Sequence, residues 1–124
     1  ADTLEARVYD WSTSVTTADW RSGTQFAALT RVATLASGSW STSGYNDLTE
    51  DGTNFQSAIN KTGTTRLVLC TTKFAAGTTP TGFSYWGIYS ADNTGTTDDP
   101  KLVVTHAAAA GGTTRLLGLL GVGT

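Results

Sequence analysis

The chain has no methionine, and it has a single cysteine, Cys70. One cysteine cannot form an internal disulfide, nor can it supply a cluster of thiolate metal ligands. It ends the apolar run Leu67-Val68-Leu69-Cys70, so we expect it to pack as a small buried hydrophobic residue. Without an initiator methionine, we expect that the chain was processed at its amino end or was taken from a longer protein.

Charge and long hydrophobic runs are also scarce. The formal net charge is -2 and only 15% of the residues are charged, so no basic surface is available to displace counterions from a nucleic acid. The most apolar stretch, Leu116 to Val122, is far shorter than the roughly 20 residues that cross a bilayer. We therefore expect neither nucleic-acid binding nor membrane insertion.

Groups that could carry catalysis are few. His106 is the only histidine, and no Gly-x-Ser-x-Gly motif is present to place a nucleophile. A glycosidase pair needs two carboxyl groups across a cleft, but every plausible carboxylate except Glu5 lies in a polar turn. The sequence therefore predicts a protein that is not an enzyme and needs no cofactor.

The residues that are abundant favour strands and turns. Threonine is frequent and glycine occupies 14 positions, whereas glutamate and lysine are sparse. A chain of 124 residues has room for one domain with one core. These features predict an all-β protein.

Alternation of apolar and polar residues predicts the individual strands. We expect strands at residues 3–9 and 31–35, an interior strand at 65–72, and two strands joined by a loop within 82–106. One short helix is predicted from Thr53 to Asn60, because Thr53 and Gln56 match a capping box.

Aromatic residues are the most suggestive sign of binding. Trp20, Trp40 and Tyr45 lie among polar residues, as rings that stack on sugar faces often do. The alternative is that these rings fill a core or a subunit interface. The sequence leaves both interpretations open.

The segment 92–99 is rich in oxygen ligands. Asp92, Asn93, Asp98 and Asp99 could together hold a Ca²⁺ ion. Their spacing does not match the helix-loop-helix calcium pattern, and the same residues are expected in an ordinary loop between strands.

The composition changes after His106. Residues 107–112 form a spacer of alanine and glycine, and the segment beyond it is apolar. We therefore predict a domain at residues 1–106 and a tail at 107–124. An apolar tail left in water would aggregate, so we expect it to dock on a neighbouring subunit. The residues assigned to this assembly role are Leu116, Leu117, Leu119, Leu120 and Val122.

The closing part of the domain resembles a known family. Tyr89-Ser90-Ala91-Asp92, followed by Asp99-Pro100-Lys101-Leu102-Val103-Val104-Thr105-His106, is similar to the carboxy-terminal signature of DNRLRE-type, carbohydrate-binding-module-like jelly-roll domains. His106 stands where that family usually has an aromatic residue. The resemblance covers the second half of such a domain and implies a jelly-roll-like β-sandwich. It also implies that the first strands are missing and come from elsewhere.

Two functional hypotheses follow from this resemblance. Similar domains occur in bacteriophage virion proteins, which implies an outward-facing capsid-decoration or tail-appendage subunit, located in a virion or outside the cell. Such a subunit would form homo- or hetero-oligomers with other virion subunits and could meet a surface glycan. The alternative is a carbohydrate-binding module of a secreted or cell-surface protein.

Overall fold

The computed structural model describes residues 2–79, 81–82, 85–89, 94–95 and 99–105. These residues form a mostly β structure with one four-stranded antiparallel sheet and several short helices. The strands are β1 (Thr3–Val8), β2 (Arg31–Ala36), β3 (Thr49–Glu50) and β4 (Leu67–Thr71). The α-helices are α1 (Gly23–Ala27), α2 (Thr53–Ala58) and α3 (Thr72–Ala75), and 3₁₀ turns lie at Thr17–Asp19 and Ser37–Ser39.

The sheet is built around β1. Its strand order is β3-β2-β1-β4, so β1 has a neighbour on each side. Leu4 is opposite Leu35 of β2 and Thr71 of β4, and Ala6 is opposite Ala33 and Leu69. The predicted strands at 3–9 and 31–35 are thereby confirmed.

A β-bulge in β2 concentrates apolar side chains on one face. Ala6 pairs with Ala33 whereas Arg7 pairs with Arg31, so Val32 is the extra residue. A bulge places two successive side chains towards the same side of the sheet. Val32 is completely buried and joins Ala6 and Ala33 in the core. The partly buried residues packed against this core are Val8, Leu48, Phe55, Ala58 and Leu67.

The helix predicted at 53–60 is present as α2, but its cap differs from the prediction. Thr53 is the first helical residue and not the cap, because Gly52 occupies the cap position with a positive φ of 49°. The side chain of the preceding residue, Asp51, binds Arg31 at 2.7 Å. That ion pair fixes the turn before α2, and Phe55 then packs on the apolar face of the sheet.

The prediction of a single helix is wrong, because α1 and α3 also form. The rings of Phe26 in α1 and Phe74 in α3 pack edge to face at 5.3 Å. A Cβ atom at Gly23 would lie 2.1 Å from the carbonyl oxygen of Phe74, so glycine permits the close approach of the two helices. Oδ1 of Asp2 accepts hydrogen bonds from Thr72 Oγ1 (2.8 Å) and Lys73 N (3.2 Å) at the start of α3.

The prediction that β4 is an interior strand is also wrong within the described residues. β4 forms at the expected place, but it is an edge strand that pairs with β1 alone. Leu69 in its centre is 43% exposed, while Cys70 is buried as expected. A strand with apolar residues on both faces thus lies at the edge of the sheet, where no strand of the described residues pairs with its outer side.

The strands predicted within 82–106 are not found in the described residues of that stretch. Residues 85–89 and 99–105 have neither strand nor helix, and Phe83, Ser84 and His106 lie outside the described residues. Alternation indicates which side chains would share a face, but a strand also needs a neighbouring backbone to bind. The chain divides into two units, Ala1–Ile88 and Tyr89–Thr124. In the second, Leu102, Val103 and Val104 are exposed.

Candidate functional site

The loop between β1 and α1, residues 9–21, carries the best candidate for a binding surface. The rings of Tyr9 and Trp11 lie 6.4 Å apart. The guanidinium carbon of Arg21 lies 4.8 Å from the centre of the Tyr9 ring, a cation–π geometry. Beside Arg21, Trp20 is 71% exposed. We call Tyr9, Trp11, Trp20 and Arg21 the loop cluster.

Asp19 holds the loop cluster in place. Its Oδ1 accepts a hydrogen bond from the hydroxyl of Tyr9 at 3.1 Å, and its Oδ2 accepts from the N and Oγ1 atoms of Thr16, both at 2.9 Å. The hydrogen bonds from Thr16 in particular lower the pKa of Asp19. Desolvation, together with the hydrogen bond to Asp19, raises the pKa of Tyr9. The tyrosine is therefore a neutral donor and the aspartate a charged acceptor near neutral pH.

The side chain of Arg21 restrains the backbone that carries Trp20. Nη1 of Arg21 donates to the carbonyl oxygens of Ala18 (3.0 Å) and Trp20 (3.2 Å). These bonds restrain the backbone on both sides of the exposed indole. An exposed aromatic ring on a restrained backbone loses little entropy when a ligand packs on it.

The three predicted sugar-binding residues differ in their surroundings and exposure. Trp40 is half-buried and its ring packs edge to face on Trp86, at 4.9 Å and an interplanar angle of 88°. Its partner is therefore another tryptophan of the chain, as in the interpretation of Trp40 as a packing residue. Trp20 belongs to the loop cluster and is 71% exposed, and Tyr45 is 46% exposed. Of the three residues, Trp20 is the one most available to a ligand.

Sequence reasoning did not assign Tyr9 and Arg21 to a site. Tyr9 entered only as the end of the strand predicted at residues 3–9, and Arg21 was given no role. The sequence does contain a sign of this site, because the pairs Tyr9-Trp11 and Trp20-Arg21 lie in the same polar stretch. The hydrogen bond from Tyr9 to Asp19 that closes the loop is what brings them together.

The predicted calcium ligands are mostly outside the described residues. Asp92, Asn93 and Asp98 are not described, and Asp99 is half-buried. No group of three or more histidine, cysteine, aspartate or glutamate side chains suited to a metal occurs in the described part of the chain. Calcium binding at 92–99 therefore stays a prediction.

The assembly residues predicted in the tail also lie outside the described residues. They are Leu116, Leu117, Leu119, Leu120 and Val122. Their role in subunit contact stays a prediction.

None of the helices in the described ranges has the length and apolar character to cross a membrane.

The charged face of the sheet holds a buried ionic network. Oε2 of Glu5 accepts from Nε (3.0 Å) and Nη2 (2.7 Å) of Arg7, and its Oε1 lies 3.4 Å from Nη1 of Arg31. Arg7 Nη1 also donates to the carbonyl oxygens of Ala27 (3.1 Å) and Leu29 (2.7 Å). Both oxygens of Glu5 are thus engaged by arginine, so the network ties β1 to β2 and to the end of α1.

Cys70 lies beside this network. It is directly opposite Glu5 in the pairing of β4 with β1. Burial raises the pKa of its thiol, which opposes formation of the reactive thiolate. Cys70 therefore acts in this structure as a packing residue.

Comparisons of the chain with protein-family models, with curated proteins and with solved structures found no match. Any functional assignment therefore rests on the residues and their geometry.

Proposed function

We propose that the chain is a non-enzymatic structural subunit of a bacteriophage virion, a capsid-decoration or tail-appendage protein. In this proposal the four-stranded sheet is part of a jelly-roll-like sandwich that partner subunits complete. The subunit would face outward, in a virion or another extracellular assembly.

The observation that carries this proposal is the imbalance between buried and exposed apolar side chains. The buried apolar residues of the described chain are mostly small, with alanine at three positions: Leu4, Ala6, Val32, Ala33, Leu35, Cys70 and Ala75. The exposed large ones are Val15, Trp20, Tyr45, Leu69, Phe74, Tyr85, Ile88, Tyr89, Leu102, Val103 and Val104. Exposed apolar surface on this scale is typical of subunits that bury it against partners.

The native mass of the full chain tests assembly. We expect sedimentation equilibrium to give a multiple of the 12.9 kDa chain mass. Replacing Leu116, Leu119 and Leu120 with serine should reduce that mass, whereas Val15→Ser, which removes an exposed side chain from the loop cluster's segment, should not. A cooperatively melting monomer at all concentrations would contradict the proposal.

Mass spectrometry of purified particles tests the virion assignment. We expect peptides of this chain in density-purified phage particles, at a fixed ratio to the major capsid or tail proteins. An assembled chain that is always absent from such particles would overturn the virion role while leaving assembly intact.

Glycan binding is the second candidate function, and the loop cluster favours it. An exposed indole on a restrained loop, next to hydroxyl, carboxylate and guanidinium groups, can stack on a pyranose ring and bind its hydroxyls. This function is compatible with a virion subunit and equally with a module of a secreted protein.

Tryptophan fluorescence and a glycan array test the second candidate. We expect a sugar that binds on the array to quench the fluorescence, and Trp20→Ala to weaken its affinity roughly tenfold, the size of one lost stacking contact. Val15→Ala is the matched control, because Val15 is also 71% exposed in the same loop. An array without binding, or equal affinity in both variants, would contradict a sugar site at Trp20.

A further inference from the structure

The backbone pairing of β1 defines which groups of β4 point away from the sheet. Val8 N donates to Thr30 O on the β2 side (2.9 Å), and Tyr9 N donates to Arg66 O on the β4 side (3.5 Å). Because backbone groups alternate along a strand, the odd residues of β1 bond towards β4. Glu5 and Arg7 are opposite Cys70 and Val68, so these two β4 residues direct their N–H and C=O groups to β1.

The remaining residues of β4 therefore direct their backbone groups outward. These residues are Leu67, Leu69 and Thr71, and no strand pairs with that edge in the described ranges. Natural edge strands are usually protected by charged residues, proline or bulges. β4 has none of the three: its sequence is Leu-Val-Leu-Cys-Thr and its pairing with β1 is regular.

We propose, building on the assembly function proposed above, that β4 pairs with β4 of a second copy of this chain. The pair is antiparallel, around a twofold axis that passes through Leu69. Each outward-facing residue then meets an outward-facing partner: Leu69 meets Leu69, and Leu67 meets Thr71. The two four-stranded sheets become one continuous sheet.

The side chains of β4 suit pairing with a second copy, because the strand complements itself. In this register Val68 lies opposite Cys70, and apolar or hydroxyl side chains meet along the whole strand. The flanking cations do not meet each other, since Arg66 falls opposite Thr72 and Lys73 falls opposite Thr65. The twofold pairing also covers Leu69, which is 43% exposed in the single chain.

The size of the contact predicts a weak association. A pair of five-residue strands is small beside the interfaces of stable dimers, which bury about 1,600 Å². We therefore expect a dimer that forms at high concentration and is strengthened where other contacts hold the copies together.

Disulfide trapping tests the register of this pairing. In the full chain with Cys70→Ser, the substitution Leu69→Cys places two thiols on the axis. Hydrogen-bonded antiparallel partners have Cα atoms about 5.5 Å apart, within the range of a disulfide. We expect rapid formation of a covalent dimer on a non-reducing gel. Val104→Cys in the same background is the control, because Val104 is similarly exposed at 46%. Equal rates for both variants would overturn the register.

Leu69→Lys tests whether the edge is the contact, since it would place two ammonium groups face to face. Because the tail proposed above would still join copies, we expect sedimentation velocity to show a smaller assembly for Leu69→Lys than for the unchanged chain and for Val104→Lys. An assembly of unchanged mass in Leu69→Lys would overturn pairing at this edge and leave the assembly function standing. A monomer for the unchanged chain at millimolar concentration would contradict both.

The carboxy-terminal segment 113–124 is the competing occupant of the edge. If it bound there, Leu119→Cys would form a disulfide with Leu69→Cys in the Cys70→Ser background, and Leu69→Cys alone would not. That result would replace the second copy as the partner of β4.

Discussion

Glu5 shows how a charged residue is accommodated in the middle of this sheet. It is 2% exposed, and its carboxylate is shared by Arg7 and Arg31, which are opposite each other on β1 and β2. Two arginines in that position would repel, and the carboxylate between them removes the repulsion. Asp51 binds the outer side of Arg31 at 2.7 Å and completes the charge balance. The network is thus compensated although much of it is buried.

Glu5→Gln should destabilise the protein strongly. The amide keeps the shape of the carboxylate but leaves Arg7 buried without a counter-charge, a change that costs about 3 kcal/mol in comparable sites. Urea unfolding of the two proteins measures this difference. Glu50→Gln is the matched control, because Glu50 is exposed on the edge strand β3. Equal losses in both variants would show that the buried pair adds nothing specific.

Asp2 should make the stability depend on acid pH. Burial opposes its ionisation, but hydrogen bonds from Thr72, Lys73 and Thr3 outweigh burial and lower its pKa below the ordinary value of 3.8. A lowered aspartate pKa stabilises the folded state above the unfolded-state pKa, and this stability is lost as the pH falls towards the folded-state pKa.

Urea midpoints measured from neutral pH to below pH about 4 should therefore fall with acid. The fall should be shallower in Asp2→Asn and unchanged in Asp47→Asn, a substitution at an exposed loop position. Asp19, whose pKa is also lowered, contributes in the same direction. Identical acid profiles for the unchanged chain and Asp2→Asn would contradict the role of Asp2.

Residue-level expectations from the sequence were right where one local property decides the outcome. Cys70 is buried because it ends an apolar run, and this was predicted. The burial of Arg7 was not predictable, since its partners at Ala27 and Leu29 lie in another part of the chain. Alternation alone places Arg7 on a polar face and does not show that this face is covered.

At the scale of elements, the helices illustrate what a short motif can predict. The Thr53-x-x-Gln56 pattern located α2 correctly, although Gly52 and not Thr53 is the cap. Ser22-x-x-Gln25 is the same pattern, and there Gln25 Oε1 does accept from Ser22 N at 2.8 Å. That motif identifies the start of α1, although the apolar residues that follow it have no clean helical period. α3 has only four residues and depends on the cap that Asp2 and Thr71 provide.

Gly23→Ala should separate α1 from α3. The new Cβ would meet the carbonyl oxygen of Phe74 at 2.1 Å, so one helix must move and the contact of Phe26 with Phe74 must weaken. We expect a loss of about 2 kcal/mol, typical of overpacking. Gly38→Ala is the control, because a Cβ there meets nothing within 4 Å. Thermal unfolding compares the two, and a similar melting temperature for both would contradict close packing at Gly23.

At the scale of the whole molecule, the sequence indicated the class of fold better than its topology. Strand propensity predicted an all-β protein, and the described residues are mostly β, with one antiparallel sheet and three short α-helices. The position of β4 at the edge was not predicted, because an apolar run indicates cover on both faces but not which strands lie beside it. Pairings such as that of β1 with β4 join residues far apart in the chain, and a local sequence pattern does not indicate which strands pair.

The melting temperature should rise with protein concentration if the exposed apolar surface is covered by association. Binding that favours the folded state stabilises it by mass action. We expect a measurable increase over a hundredfold range of concentration for the unchanged chain and a smaller one for Leu69→Lys. Differential scanning calorimetry provides the measurement, and a concentration-independent melting temperature in both proteins would argue for a self-sufficient monomer.

The bulge at Val32 has a consequence for how the length of this strand can vary. In a regular strand every second residue faces the same side, so Arg31 would face the apolar side together with Leu35 and Ala33. The extra residue at the bulge instead places Arg31 on the same side of the sheet as Glu5 and Arg7. Loss of Val32 alone would therefore remove one core side chain and straighten β2 without turning Arg31 over. An insertion or deletion of one residue inside a strand normally inverts everything beyond it. Here a homologue shorter by this residue could retain the same arrangement of charges.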